Sequence, residues 1–201
     1  MSALFCLALL ALSSLAAASD PGCGELLKPL EVRSQISGKW IFHAGTSDNE
    51  KSMKDLKTME SSWIELSPLP ESDDMTLSWG DKVKDGKCYY GSVNSTLAGN
   101  ATRVTYSYNF SGHEHVGKNL MTCAECLLWT DNSEAAENGE TRHSRNLYIF
   151  TKSGQLDDSD LEVFRKQAAC LNFPAEFHFG KLTDLCPAEK EAAADVEEEQ
   201  Q

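Results

Sequence analysis

The amino-acid sequence predicts an all-β protein, a closed antiparallel barrel with one α-helix packed on its flank. Several short runs alternate apolar with polar residues between turn signals, as residues 75–79 do, and this period-two pattern is typical of strands buried on one face. The period changes near the C-terminus, where apolar residues recur at helical spacing over residues 161–171. Many strands joined by short turns, followed by one amphipathic helix, indicate a closed barrel.

The N-terminal segment, residues 1–19, has the composition of a secretion signal. An apolar stretch over residues 4–10 is followed by three alanines at residues 16–18, small side chains of the kind that signal peptidase requires. A retained membrane anchor is the alternative, but the apolar run is short for a bilayer span. We therefore predict a secreted, extracellular protein with one domain over residues 20–187 and an acidic, disordered tail over residues 188–201.

The chain carries a formal net charge of −13. This charge argues against nucleic acid and anionic membrane surfaces as partners, because phosphate groups demand Lys and Arg. An acidic protein stays soluble and attracts cationic ligands through its field. No stretch after the signal is apolar enough to cross a bilayer, so we expect no membrane insertion, and we expect a monomer.

The first predicted strand covers residues 38–44 and begins with a Gly-x-Trp sequence. Gly38 is expected to let the strand pass close to its neighbours, and Trp40 to seal the closed end of the barrel. Residues 45–57 are polar with a brief helical spacing of apolar residues. They predict a long loop with a short helix that overhangs the barrel mouth.

The remaining elements are predicted from alternation and from turn residues. Asp85-Gly86 and Gly99-Asn100 each mark a hairpin turn, whereas the polar stretch over residues 131–143 is interpreted as a loop. Ser159 is predicted to cap the helix, with Glu162 three residues later completing a capping box. The remaining predicted strands are residues 61–69, 75–79, 87–97, 101–110, 113–122, 127–130 and 145–151.

Three Asn-x-Ser/Thr sequons begin at Asn94, Asn100 and Asn109 and predict a glycosylated surface. Successive strand residues point to opposite faces. Asn94 and Asn109 therefore face water when the aromatic and apolar residues of their strands face inward, and Asn100 lies in a turn. All three sites are thus sterically available in one barrel.

Seven cysteines less Cys6 of the signal segment leave six, and an even number in a secreted chain predicts disulfides. Spacing alone does not choose among the pairings. For Cys123 and Cys126 we favour a structural bridge over a redox motif, because the pair lies between strand-like runs and not at a helix N-terminus. A zinc or organometal site with His113 or His115 is a further alternative, but it lacks a second cysteine pair at ligand spacing, and no metal is predicted.

Short motifs then follow one another along the mature chain. They are Gly-Lys-Trp at 38–40, Trp-Ile-Glu-Leu-Ser-Pro at 63–68, Lys-Cys-Tyr-Tyr at 87–90, Gly-His-Glu-His at 112–115, Thr-Asp at 130–131, Ala-Cys-Leu-Asn-Phe-Pro at 169–174 and the segment 181–187. In order and spacing they resemble the lipocalins, and more narrowly the orosomucoid (α1-acid glycoprotein) branch with the fish saxitoxin/tetrodotoxin- and tributyltin-binding proteins.

The resemblance implies an eight-stranded up-and-down barrel with one C-terminal helix. It also implies two disulfides, Cys23–Cys170 and Cys88–Cys186. Lys152 stands where the family has an Arg that covers the conserved Trp40, so it is expected to supply a cation over that ring.

The resemblance further implies a ligand pocket inside the barrel. Tyrosine hydroxyls and Glu65 are expected to supply the few polar anchors that fix a ligand's orientation. The residues predicted to bind the ligand are Ile64, Leu66, Trp79, Tyr89, Val93, Tyr106, Tyr108 and Trp129.

The predicted function is that of a secreted glycoprotein that binds and transports small hydrophobic or amphipathic ligands, including basic or toxic xenobiotics. No Gly-x-Ser-x-Gly or similar catalytic motif occurs, so neither an enzyme activity nor a cofactor is predicted. Two alternatives stay open. One is an immunomodulatory, receptor-binding glycoprotein with an incidental pocket, and the other is a lipocalin-type isomerase that uses Cys123 or Cys126 as a free pocket thiol.

Overall fold

A computed structural model describes residues 22–31, 33–98, 100–108, 111–137 and 139–188. The predicted signal segment, Asn109 and nearly all of the acidic tail lie outside these ranges. Most of the described residues lie in antiparallel strands, and the long helix comes near the C-terminal end. The strands are β1 (Gly38–Ser47), β2 (Met59–Pro68), β3 (Met75–Val83), β4 (Cys88–Ala98), β5 (Ala101–Tyr108), β6 (Ser111–Leu120), β7 (Cys126–Glu137), β8 (Glu140–Thr151) and β9 (His178–Phe179). The helices are α1 (Cys23–Leu26), a 3₁₀ helix (Arg33–Ile36), α2 (Glu50–Leu56) and α3 (Asp158–Cys170).

The first eight strands form a closed barrel in which each strand pairs with its neighbour in sequence. The barrel closes because β1 pairs on one side with β2, over Gly38–Ile41, and on the other with β8, over Ile41–Ser47. This arrangement confirms the predicted eight-stranded antiparallel barrel with a C-terminal helix. Closure removes the unpaired edges that an open sheet would expose.

The C-terminal segment over residues 178–186, which we call the strap, lies across the barrel where β1 and β2 diverge. Strand β9 pairs with Ala44 and Gly45 of β1, and the backbone N–H of Lys181 donates to the carbonyl of Glu60 in β2 at 2.7 Å. The segment ends beside Trp63, whose indole N–H donates to the carbonyl of Cys186 at 2.8 Å. The strap therefore supplies hydrogen bonds that the two parting strands do not give each other.

Three disulfides join the described cysteines in pairs. Cys23–Cys170 links α1 to the end of α3, and Cys88–Cys186 fixes the strap to β4, with Cα separations of 5.4 and 5.7 Å. Both pairings match those that the resemblance implies. Cys123 and Cys126 bond to each other in the connection between β6 and β7, where the Cys126 N–H donates to the Cys123 carbonyl at 3.1 Å.

Trp40 forms the centre of the closed end. It is 2% exposed, its indole N–H donates to the carbonyl of Ile36 at 2.7 Å, and the Nζ atom of Lys152 lies 5.0 Å from its ring centroid. Gly38 was expected to allow close approach between neighbouring strands, and this expectation is wrong. A Cβ at Gly38 would meet nothing within 4 Å, so close approach is not the constraint, whereas its φ of +103° lies in the region that favours glycine.

The polar stretch over residues 131–143 is not the predicted loop. It forms the paired ends of β7 and β8, which stay in register to Glu137 and Glu140 around a tight turn where Gly139 has φ +82°. Asp131, Ser133 and Ala135 are buried while their neighbours are exposed. The period-two pattern was present, but small polar residues occupied its inner face.

Helix α3 begins before the predicted cap. The N-cap is Asp157, whose carboxylate accepts from the backbone N–H of Asp160 at 2.9 Å, and the Ser159 hydroxyl donates to the same carboxylate at 2.7 Å. The helix then buries Phe164 and Ala168 against the barrel. None of the helices in the described ranges is both long and apolar enough to span a membrane.

Candidate functional site

The barrel encloses a cavity of about 870 Å³, lined by residues from all eight barrel strands and from α2. Its floor consists of apolar side chains that belong to one buried cluster with Trp40, although Trp40 itself does not line the cavity. These floor residues are Ile36, Phe42, Met75, Leu127 and Phe150. Trp40 therefore acts as a plug beneath the cavity, in keeping with the predicted closed end.

One wall of the cavity is aromatic. The rings of Trp79 and Tyr106 lie 5.5 Å apart, and Tyr106 stacks almost parallel to His113 at 4.9 Å and to His115 at 5.7 Å. Offset aromatic pairs at such distances are favourable beyond the area that they bury. The wall presents a rigid, polarisable surface to whatever occupies the cavity.

Glycines set the position of two cavity tryptophans. An added Cβ at Gly91, the cross-strand partner of Trp79, would overlap the Trp79 indole, and one at Gly117 would lie 2.7 Å from Cζ2 of Trp129. The two indoles therefore lie flat against neighbouring strands. This arrangement keeps space open that upright rings would fill.

Asp131 organises a polar cluster beside the aromatic wall. It is only 4% exposed, and its Oδ2 atom accepts from the Trp129 indole at 2.6 Å and lies 3.1 Å from Nδ1 of His115. Its Oδ1 atom accepts from the side-chain amide of Asn146 at 2.7 Å. These donors compensate for the burial of the carboxylate.

A chain of hydroxyl groups continues the cluster toward α2. The Asn146 amide also donates to Ser133 Oγ at 2.9 Å, Ser133 and Ser144 hydroxyls lie 2.7 Å apart, and the Ser52 hydroxyl of α2 donates to Ser144 at 3.1 Å. In contrast, Oδ1 of Asn146 is buried and has no hydrogen-bond partner among the described residues. One acceptor of this cluster is therefore unsatisfied.

Burial shifts the pKa of three other cavity groups. Burial raises the pKa of the Asp81 carboxyl, against a smaller opposing effect from its hydrogen bond with Ser62. Burial, with the nearby carboxylates Asp81 and Asp131, raises the pKa of Tyr106 to about 12 and that of Tyr148 well above its usual range. Both phenols are therefore neutral hydrogen-bond donors near neutral pH.

The predicted short helix lies at the cavity, where Ser52, Asp55 and Leu56 of α2 contribute to the lining. Arg142 of β8 bonds to Asp55 at 3.0 Å. The amide of Asn49, the N-cap of α2, donates to the carbonyl of His143 at 3.2 Å. The β8 strand thus anchors the helix that borders the cavity.

Most of the residues predicted to bind ligand come together at this cavity. Those that line it are Ile64, Leu66, Trp79, Tyr89, Tyr106 and Trp129. Val93 is not among the lining residues, and the side chain of Tyr108 lies outside the described part of the chain. Glu65 is exposed, because strand alternation places it on the face opposite Ile64 and Leu66, so its expected role as a cavity anchor is wrong.

Apart from the tyrosines and histidines, the polar residues of the cavity were not predicted from the sequence. Asp81 continues the alternation of β3 two residues beyond Trp79, and this spacing was a signal that could have identified it. Asp131, Ser133 and Asn146 lie in or beside the stretch that was interpreted as a loop. The tyrosines supply neutral donors, while the carboxylates, Asn146 and the hydroxyl chain supply the acceptors.

The histidines and cysteines that were considered for a metal site or a reactive thiol lie in different places. His113 and His115 both line the cavity, as strand residues of one face should. Cys123 and Cys126 do not line it; a carboxylate oxygen of Asp160 lies within 4.8 Å of their sulfur atoms. Because the two sulfurs are bonded to each other, they offer no thiolate to a metal in this state.

No family model matches the sequence. A search of curated proteins also finds no match.

Solved structures, in contrast, resemble the chain over most of its length. The odorant-binding protein OBP1 is 15% identical with a TM-score of 0.62, covering 80% of this chain and 99% of the other. The siderocalin Ex-FABP is 16% identical with a TM-score of 0.55, covering 77% and 96%. The bovine lipocalin allergen Bos d 2 is 15% identical with a TM-score of 0.57, covering 77% and 98%. At these identities the similarity shows the fold, which is that of the lipocalins.

Proposed function

We propose that this protein with a lipocalin fold binds and carries one small hydrophobic or amphipathic molecule per chain inside its barrel. The observation that carries the proposal is the cavity of about 870 Å³ between the Trp40 floor and α2. Cavities of roughly 300–1,000 Å³, mostly apolar with a few convergent polar groups, are typical of small-molecule sites. Binding is by burial, with about 25 cal/mol gained for each Å² of apolar ligand surface removed from water.

The polar groups make an amphipathic ligand a better match than a pure hydrocarbon. A hydrocarbon would cover Asp81 and His115, which line the cavity and are only partly buried, without replacing the hydrogen bonds that water can give them. Basic ligands are further favoured by the net charge of −13 and by two carboxylates in the cavity wall. The proposed cargo therefore includes amphipathic amines, among them basic xenobiotics of the kind that the orosomucoid-like resemblance implies.

Structural neighbours support the general class. The siderocalin Ex-FABP functions through dual ligand specificities, and OBP1 is by name an odorant-binding protein. Both carry their ligands on the fold that this chain shares. The enzyme alternative has no observation in its favour, because Cys123 and Cys126 are bonded to each other and lie outside the cavity lining.

We also propose that the protein is a secreted glycoprotein. Three disulfides are typical of chains that mature in an oxidising compartment. The side chains of Asn94 and Asn100 are exposed, as glycan attachment requires. Digestion of protein from its source with a glycan-releasing amidase should lower the mass and convert the occupied asparagines to aspartates.

Tryptophan fluorescence tests the binding proposal. Trp79 and Trp129 line the cavity, whereas Trp40 and Trp63 do not, so a bound ligand should quench part of the emission and saturate at one per chain. Trp79→Phe should reduce the amplitude of this quenching, and Trp63→Phe, the matched control, should not. A broad panel of hydrophobic, amphipathic and basic compounds that leaves the emission of folded protein unchanged, and shows no binding by calorimetry, would contradict the proposal.

A further inference from the structure

The Asp131 carboxylate fixes the orientation of the His115 ring. Both carboxylate oxygens already accept hydrogen bonds, Oδ2 from the Trp129 indole and Oδ1 from Asn146. An ionised carboxylate only accepts, so the Nδ1 atom of His115, 3.1 Å from Oδ2, must carry a proton in this contact. In the neutral imidazole Nε2 is then an acceptor, on the side of the ring away from Asp131.

The same carboxylate fixes the amide of Asn146. The Nδ2 atom of Asn146 donates to Asp131 and to Ser133, which determines which end of the amide is nitrogen and which is oxygen. The oxygen is the atom without a partner among the described residues, on a side chain that is only 2% exposed. Because this oxygen is fully buried, a ligand does not reach it, and the acceptor of the cluster that lies on a cavity-lining, partly exposed side chain is His115 Nε2.

We infer that His115 Nε2, on a side chain that lines the cavity and is 20% exposed, forms an acceptor subsite that recognises an N–H or O–H donor on the ligand's polar head. In this arrangement Asp131 is a positioning residue, which acts through the imidazole that it orients. The inference rests on the proposed function, because it names the part of a cavity-bound ligand that determines selectivity. It predicts that a neutral donor such as a phenol is sufficient, and that a positive charge is not required.

The neighbouring groups favour a donor over an acceptor or an anion. Asp81 and Asp131 both line the cavity, and a ligand anion would be repelled by their charge. Arg142 also lines the cavity, but its guanidinium is paired with Asp55 at 3.0 Å. The Tyr106 hydroxyl lies 3.4 Å from His115 Nε2, longer than an ordinary hydroxyl hydrogen bond, so a better placed ligand donor has an advantage there.

Three naphthalenes of similar shape test the inference by calorimetric titration of the full mature protein. They are 2-naphthol, which donates, 2-methoxynaphthalene, which only accepts, and 2-methylnaphthalene, which does neither. Apolar burial alone would favour 2-methylnaphthalene. We expect 2-naphthol instead to bind about tenfold more tightly than the other two, from one buried hydrogen bond to His115 Nε2.

Two variants locate the effect. His115→Phe keeps a ring of similar size but removes Nε2, so the preference for 2-naphthol should shrink to about threefold or less while 2-methylnaphthalene still binds. Asp131→Asn should weaken the same preference and also change the imidazole ¹⁵N chemical shifts of His115, which report its tautomer. His143→Phe is the control, since His143 lies on β8 with an exposed side chain, and it should keep the wild-type ratio.

The outcomes separate this inference from the proposed function. If all three naphthalenes bind wild-type protein with equal affinity, the cavity binds ligands and the acceptor subsite is wrong. The subsite is also wrong if His115→Phe retains the full preference for 2-naphthol. If none of the three compounds binds, the inference fails, and the broad ligand panel followed by tryptophan fluorescence and calorimetry decides whether the proposed function fails with it.

Discussion

The two ends of the barrel interior are built in opposite ways. At the floor, Trp40 is almost fully buried, its one polar side-chain atom donates a hydrogen bond to the carbonyl of Ile36, and it belongs to a buried apolar cluster. Nearer α2, the interior holds Asp81, Asp131 and an unsatisfied Asn146 oxygen. The floor is complete without a ligand, whereas the polar wall still has an unsatisfied acceptor.

This difference assigns stability to one end and recognition to the other. A residue whose contacts are all made within the protein contributes to folding. A residue that lines the empty volume and offers a hydrogen-bond acceptor, as His115 does, contributes to recognition. Mutations at the two ends should therefore affect different measurements.

The largest expected effect is at the floor. Trp40→Ala should lower the free energy of unfolding by about 3–5 kcal/mol, because it leaves a large cavity and removes the ring beneath Lys152. Affinity for 2-naphthol per folded molecule should change little. Urea unfolding combined with calorimetric titration measures both, and a collapse of affinity with unchanged stability would place Trp40 in the binding site.

Much of the floor was predictable from the sequence because its signals are local. Gly-x-Trp identified Trp40, and the resemblance gave Lys152 and the two long disulfides. The reason for Gly38 was missed, since a positive φ cannot be read from residue type alone. The polar wall was harder, because Asp131 and Ser133 look like loop residues until the strand pairing shows which face they occupy.

The next largest expected effect is the loss of unfolding free energy when the disulfide that holds the strap is removed. Replacing Cys88 and Cys186 together by serine should cost about 2–4 kcal/mol of unfolding free energy, because a link that closes a long loop constrains the unfolded chain. The same double substitution at Cys123 and Cys126 should cost less, since that loop is short. Equal losses of stability in the two double variants would contradict the expectation that the disulfide closing the longer loop contributes more.

The Gly91→Ala substitution should weaken ligand binding without altering the residues of the barrel floor. Its methyl group would overlap the Trp79 indole and push that ring into the cavity, so affinity for 2-naphthol should fall about tenfold or more. Gly112→Ala is the control, because a Cβ there meets nothing within 4 Å. Both variants should remain folded by circular dichroism, and an unchanged affinity in Gly91→Ala would show that Trp79 does not border the bound ligand.

The smallest expected effect concerns Asp81. Because burial raises its folded-state pKa, the folded protein retains a proton that the unfolded chain releases, so this group costs stability as the pH rises through the raised pKa. Asp81→Asn should therefore be more stable than wild type near neutral pH, and the difference should vanish in acid, where both side chains are uncharged. Urea unfolding across that pH range measures the difference in unfolding free energy between the variant and wild type. A variant that is less stable than wild type at neutral pH would indicate that the carboxylate is stabilised by its surroundings.

The location of a bound ligand tests the central claim most directly. In a crystal of the protein grown with 6-bromo-2-naphthol, the bromine gives an anomalous signal that marks the ligand without reference to the protein. The account predicts one peak inside the barrel, between the Trp79 wall and the Asp131 cluster, above the Trp40 floor. A peak found only in the outer groove beside α3, where Phe173 and Phe177 lie, would contradict it.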